Sequence, residues 1–299
     1  VYVEPVVAVV AGEILMAVGG GNGGTRALAA RVPLNDAAVN DRPGTALFVS
    51  VYLRRETREA AVEGRAHRDD SLAGTERFDE DAADLVADLG VDAIKIGSGD
   101  LTHGRLLAHV AAFGRPLICS TGMASLPEVL DAVASIAATA PATPLALLHC
   151  VSAYPAPPEA ANLRAIPAMH AATGRPVGWS DHVPGPETAI AAAALGAPLF
   201  ERHLTLDRTA EGPDHAASDE PDELAAYIRA IRRAYAALGT PTKAPAAVES
   251  DVRTAARRSL VARTPIPAGC LIEPHMLDVR RPGTGLPPSA IDAICGRRS

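Results

Sequence analysis

The sequence predicts an α/β fold, a (β/α)8 TIM barrel followed by a small β-rich module, on three observations. From residue 91 onward, short apolar runs alternate with helical patterns at a period of about 20–30 residues, the rhythm of parallel βα units. The runs are continuously apolar, so both faces of the sheet should be covered. Polar residues follow every run, and a barrel carries its active site at that end of its strands. An open doubly wound sheet is the alternative. It would show one switch point and a glycine-rich phosphate fingerprint, not polar residues at each strand end.

Residues 1–90 should hold the first three βα units. A first strand is expected within "VEPVVAVVAGEILMAVGG" and a second in "GTALFVSVYL" at 44–53. "FDEDAADLVADLG" at 78–90 has the apolar spacing of an amphipathic helix. No third strand is legible, because "RRETREAAVEGRAHRDDSLAGTER" is charged and lacks an apolar run; residues 54–74 are expected to be irregular. Strands then follow at 91–97, 116–121, 145–150, 176–181 and 198–204, with a last helix in "DELAAYIRAIRRAYAALG". Gly114, Gly174, Gly196 and Gly239 stand just past helical patterns, the place of a left-handed C-cap. The barrel is assigned to 1–240, with residues 1–75 atypical. A polar, Pro-bearing linker follows at 241–258, then a β-rich module at 259–299 that is expected to be incomplete.

Bulk properties exclude several classes. With 299 residues, 48% of them hydrophobic, the chain can bury one large core. No apolar run reaches about 18 residues, so no membrane span is expected. The N-terminus lacks the pattern of a signal peptide. Cys119, Cys150, Cys270 and Cys295 are scattered without CxxC spacing, which suggests reduced thiols and a cytoplasmic protein. A net charge of −7 without a basic patch argues against a nucleic-acid partner.

His182 in "GWSDH" and His203 in "FERHLTLDR" end two consecutive apolar runs. A lone strand histidine is ordinarily a satisfied core residue, but two at neighbouring strand ends can converge on one transition-metal ion. His149 lies within its strand and reads as packing; His215 in "GPDH" is open. Only Lys95 and Lys243 are lysines. Lys95 projects from a strand, where a lysine is costly unless it meets an anion. Ser98, Ser120 and Ser180 follow strands; each alone reads as a turn or cap residue. Gly97, Gly99 and Gly122 would let backbone N–H groups approach an anion.

The blocks "DAIKIGSGDLT", "LICSTGMASLPEV", "LLHCVSAYPAPPEAANLRAIP", "PVGWSDHVPG", "ERHLTLDRTAEGPDHAASDEPDEL" and "RRSLVARTPIPAG…VRRPGTGL" together resemble the sialic acid synthase family, from about residue 75 to 299. The resemblance implies a (β/α)8 barrel, a linker and a C-terminal antifreeze-like (SAF) domain. It implies condensation of phosphoenolpyruvate with an N-acetylated hexosamine, such as N-acetylmannosamine or a 2,4-diacetamido sugar, to a nonulosonic acid plus phosphate. His182 and His203 then hold a divalent metal, Mn²⁺, Mg²⁺ or Co²⁺. Lys95, Ser98, Ser120 and Ser180 match the anion-binding positions. Tyr154 and Asp214 match sugar-binding positions. Ser152 stands where some members have asparagine, and Asp100 where many have glutamate. Lys95, Asp100 and Asp214 are the implied catalytic residues. Arg281 of "RRPGTG" matches an arginine that reaches the partner's site in a homodimer with swapped C-terminal domains; a solvated arginine is the plainer reading.

Two departures matter. The family opens with an Asn-His block, and "VGGGNGG" at 18–24 has neither histidine nor glutamate. The family's second strand ends in a lysine block, and no lysine precedes Lys95 here. A catalytically impaired relic that binds metal or sugar is therefore one alternative. A barrel aldolase using Lys95 as a Schiff base is another.

Overall fold

The computed structural model describes residues 93–209 and 215–299, four strands between residues 6 and 51, and helical positions at Glu80, Ala83, Asp84 and Ala87. The chain forms two compact units, Val1–Leu238 and Gly239–Ser299.

In the first unit, β1 (Val6–Val10), β2 (Glu13–Ala17) and β3 (Val32–Pro33) form an antiparallel sheet. The stretch expected to supply a first barrel strand is therefore a hairpin. Only Ala11 and Gly12 separate β1 from β2, and two residues can join antiparallel strands but not parallel ones.

A second sheet holds β4 (Ala46–Val51), β5 (Ile94–Ile96), β6 (Leu117–Ser120), β7 (Leu145–Cys150), β8 (Val177–Asp181) and β9 (Leu199–Leu204). Its order is β4-β9-β8-β7-β6-β5 and every pairing is parallel. From β5 to β9, chain neighbours are sheet neighbours, as successive βα units require. β4 was expected as the second strand. It instead pairs with β9, the position of the first strand in a closed barrel, where first and last strands meet. Among the described residues β4 and β5 are edges, so the barrel is seen as six of its parallel strands. Residues 54–74, expected to be irregular, lie outside the described residues.

The helices of these units are α1 (Gly104–Ala112), α2 (Leu126–Thr139), α3 (Ala165–Thr173), α4 (Glu187–Ala194) and α5 (Pro221–Leu238). α2 starts on a capping box: the Ser125 N–H donates to Glu128 Oε2 at 2.7 Å. α3 ends on Gly174 at φ 65°, which lets the chain turn toward β8. The buried helix faces, such as Leu106, Leu107 and Val110 of α1, join Ile94, Leu117, Leu147, Trp179 and Phe200 in one core. Truncating such a leucine to alanine typically costs about 2–5 kcal/mol. This core fixes the strands whose far ends carry the polar groups.

In the second unit, α6 (Ser250–Ala256) lies within the segment expected to be a linker. β10 (Ser259–Ala262) pairs antiparallel with β11 (Leu277–Arg280), and α7 (Ile291–Ile294) follows. Ser259 Oγ donates to Pro282 O and accepts from the Gly285 N–H, both at 2.9 Å, so one buried hydroxyl ties the strand to the "RRPGTG" turn. The small β-rich module is thus present.

Candidate active site

Side chains alternate along a strand, so residues two apart share a face. On one face this brings Lys95 from β5, Ser120 from β6, Cys150 from β7, Ser180 from β8 and Glu201 with His203 from β9 to a common cavity. The register sets Cys150 opposite Ser180, and Ser180 opposite Glu201. Segments just past the strands add Ser98, Asp100, Ser152, Tyr154 and His182, enclosing about 270 Å³.

Lys95 Nζ stands 3.1 Å from Glu201 Oε2, with side chains 18% and 8% exposed. Ser120 Oγ donates to the same Glu201 oxygen at 3.4 Å. A charge this secluded is tolerable only when paired. The Ser98 hydroxyl accepts the Gly122 N–H at 3.0 Å. A Cβ on Gly122 would lie 2.3 Å from Ser152 Oγ and 2.8 Å from Ser98 Oγ, so only glycine lets these two serines converge. Burial raises the Asp100 carboxyl above the ordinary carboxylate range, partly offset by His103.

The rings of His182 and His203 meet edge to face with centroids 4.9 Å apart. His182 Nδ1 lies 2.7 Å from Val151 O. A carbonyl only accepts, so Nδ1 carries the hydrogen and Nε2 keeps its lone pair. Burial lowers the pKa of both imidazoles, and proximity to His182 lowers His203 further. Burial thus favours the neutral form of both, the state in which imidazole donates to a metal. Their donor chemistry fits a divalent transition ion. Among the described residues no group of three or more His, Cys, Asp or Glu side chains is arranged to hold one. The Tyr154 ring lies 4.2 Å from His182 and 5.4 Å from His203.

The cavity thus gathers Lys95, Ser98, Asp100, Ser120, Ser152, Tyr154, Ser180, His182 and His203. Asp214 lies outside the described residues. Arg281 lies in the second unit and is exposed. His149 faces away from the cavity, 2.9 Å from Ala161 O and packed on Trp179. His215 meets Thr205 Oγ1 at 2.7 Å. Sequence reasoning passed over Glu201, although the signal was present: it precedes His203 by two residues on one strand and must share its face. Met123, held at φ 64° and 77% exposed, also lines the cavity unannounced.

Known proteins match this chain along most of its length: residues 39–243 match the NeuB family and residues 257–299 the SAF domain. The chain belongs to the NeuB family. The NeuB match begins upstream of residue 75, where the quoted blocks start, and so takes in β4. The chain is 39% identical to the N,N'-diacetyllegionaminic acid synthase of Legionella pneumophila over 224 residues, 74% of this chain and 63% of that protein. It is equally similar, at 39%, to the N-acetylneuraminate-9-phosphate synthase of Mus musculus, over 74% of this chain and 62% of that one. The N-acetylneuraminic acid synthetase of Leptospira borgpetersenii, solved with citrate, superposes with a TM-score of 0.54 at 37% identity, over 58% of this chain and 61% of that chain. The chain spans less than two thirds of the length of these NeuB relatives. Among the described residues no helix is long and apolar enough to cross a membrane.

Proposed function

We propose that this chain is a nonulosonic acid synthase. It condenses phosphoenolpyruvate with an N-acetylated hexosamine, N-acetylmannosamine or a 2,4-diacetamido relative, releasing phosphate. The observation that carries the reading is the convergence of one lysine, four serines, two carboxyls and two imidazoles on one strand-end cavity. The names of the relatives at 39% identity support it.

Phosphoenolpyruvate is a dianion or trianion and needs a cation with N–H or hydroxyl donors. Lys95 supplies the cation, and Ser98, Ser120, Ser152 and Ser180 the hydroxyls. Its C3 attacks the sugar aldehyde carbon, forming the C–C bond while the aldehyde oxygen takes a proton. Asp100, held protonated more readily by its burial, is the donor for that oxygen. Water then adds at the former enol carbon, losing a proton, and phosphate leaves with its bridging oxygen. Glu201, between Lys95 and Ser120, is placed to accept the proton of that water. Tyr154 orients the sugar, and we assign Asp214 the same role. A divalent cation held by His182 and His203, Mn²⁺, Mg²⁺ or Co²⁺, would act as a Lewis acid on the aldehyde. We further assign a cytoplasmic homodimer in which Arg281 serves the partner's site.

The pairing of Lys95 with Glu201 disfavours a Schiff base, because a neighbouring carboxylate stabilises the ammonium over the free amine. A non-catalytic relic remains the second reading, favoured by the lack of any lysine before Lys95. Phosphate release from phosphoenolpyruvate, dependent on N-acetylmannosamine or a 2,4-diacetamido sugar and on Mn²⁺, supports the synthase. Binding of these ligands without phosphate release supports the relic.

A further inference from the structure

Behind the two histidine-bearing strand ends lies a buried polar cluster. The alternation that aims His182 and His203 at the cavity turns Asp181 and Arg202, each one residue earlier, to the opposite face. These two are partners in the β8–β9 register. Arg202 Nε and Nη2 grip Asp219 at 2.9 and 2.7 Å in a two-pronged bond. Its Nη1 donates to Val183 O and lies 3.4 Å from Asp181 O. These are the carbonyls on either side of His182. Asp219 in turn donates its N–H to His203 O at 3.0 Å. Asp181 accepts from the Val183 N–H and Thr188 Oγ1 at 2.9 Å and from Tyr227 Oη at 3.0 Å. The Tyr227 ring packs against the guanidinium, 5.0 Å from its centre. Arg202, Asp181 and Tyr227 are each 2% exposed or less.

A network of this kind is a poor source of stability, since apolar residues of like shape would hold two strands equally well. Its particular property is directional: Arg202 Nη1 holds the carbonyls flanking His182, the Asp219 N–H holds the carbonyl of His203, and the Arg202–Asp219 pair links the two sets. We propose that Asp181, Arg202, Asp219 and Tyr227 form a clamp that positions the two imidazoles, setting their separation and angle from the rear of the strands. These are positioning residues; none of them lines the cavity. The proposal deepens the metal-binding reading of His182 and His203 and rests on it only for the second of two measurements.

The test compares Tyr227→Phe, which removes one bond to Asp181, and Arg202→Lys, which keeps the charge but loses the planar fork. The control is Ile231→Val, a buried core change one turn along α5 from Tyr227. The first readout is the set of ring resonances of labelled histidine in EDTA-treated protein. Both clamp variants should move the His182 and His203 signals and leave His149 in place, and the control should move none. The second is titration with Mn²⁺ alone. Affinity should fall about tenfold or more in the clamp variants, the range found when groups supporting a ligand are altered, with no change in the control. Unmoved ring signals in both clamp variants overturn the proposal. So do equal shifts in the control, which would mean general loosening. If the rings move but the parent binds no Mn²⁺, the clamp stands and the metal reading falls.

Discussion

Lys95 Nζ and Glu201 Oε2 stand 3.1 Å apart inside the cavity, joining β5 to β9 across the sheet. In the proposed reaction an arriving anion would compete with Glu201 for the ammonium and would free the carboxylate to act as a base. Glu201→Gln should lower kcat by about 10²–10⁴, the usual loss for a removed acid–base group, while KM for phosphoenolpyruvate stays level or falls. Parental kcat in this variant, measured at saturating substrates, would remove Glu201 from the mechanism.

Chelation is the second expectation. EDTA should abolish phosphate release, and Mn²⁺, Co²⁺ or Mg²⁺ should restore it. His182→Ala and His203→Ala should each weaken Mn²⁺ binding by calorimetry, beyond the about 10–100-fold typical of supporting groups alone. Full turnover in demonstrably metal-free protein is the contrary result.

Thiol reactivity follows from burial. Cys119, wholly buried in the core, has its thiol pushed up to about 12, with Lys95 offsetting part of the effect. The thiolate is the reactive form, so near pH 8 Cys119 should resist iodoacetamide while half-buried Cys270 and Cys295 are labelled first. The same shift has a stability consequence. Between about pH 9 and 12 the unfolded thiol ionises and the folded one does not, so this group's contribution is present below pH 9 and declines above it. Mass mapping of the alkylated peptides decides the order; early labelling of Cys119 in the folded protein would contradict the burial.

Gly178 tests the packing beneath the cavity. A Cβ there would meet Leu199 O at 2.4 Å and Leu148 Cδ2 at 2.7 Å. The carbonyl belongs to the neighbouring strand and cannot rotate away. Gly178→Ala should therefore cost about 1–3 kcal/mol or more by denaturant unfolding, the range of overpacked cores. An unchanged midpoint would mean that β8 and β9 can part without loss.

Arg281 is tested by mixing an Arg281→Ala chain with a His203→Ala chain. If it acts on the partner, hybrid dimers regain one intact site from two inactive parents. No recovery in verified hybrids, or a fully active monomer by sedimentation, excludes that role.

The legible part of this protein is the part where pattern and chemistry are local. Each run from β5 to β9 carries its own apolar period and its own polar terminus, so strand order and the convergence of Lys95, Ser120, Ser180, His182 and His203 could be anticipated. Glu201 is legible by the same two-residue rule, since it precedes His203 by two residues on one strand. The Asp181–Arg202–Asp219–Tyr227 network was not legible. Its members come from β8, β9, the segment after it and α5, and only folding reveals which charges face one another. The hairpin of β1 and β2 defeated the periodic reading because an apolar run does not say whether its partner is parallel or antiparallel; the short Ala11-Gly12 spacing did.

The pairing of β4 with β9 joins Ala46 to Leu199, about 150 residues apart in the chain. Every other partner in that sheet is the next strand along. A growing chain therefore completes β4 long before β9 exists. At the usual synthesis rate of about 5–20 residues per second, this apolar strand waits roughly 8–30 s for its neighbour on the ribosome. Closing the intervening loop carries an entropic cost, so this pairing is expected late when a free chain refolds. Through Ser50 and Val51, β4 flanks the backbone of His203 and Leu204. The strand that carries one of the two imidazoles thus keeps one open edge until β4 docks. Pulse-labelled hydrogen exchange should find the β9 amides facing β4 protected after those of β6 and β7. Nascent chains released before β9 emerges should be held by chaperones rather than free.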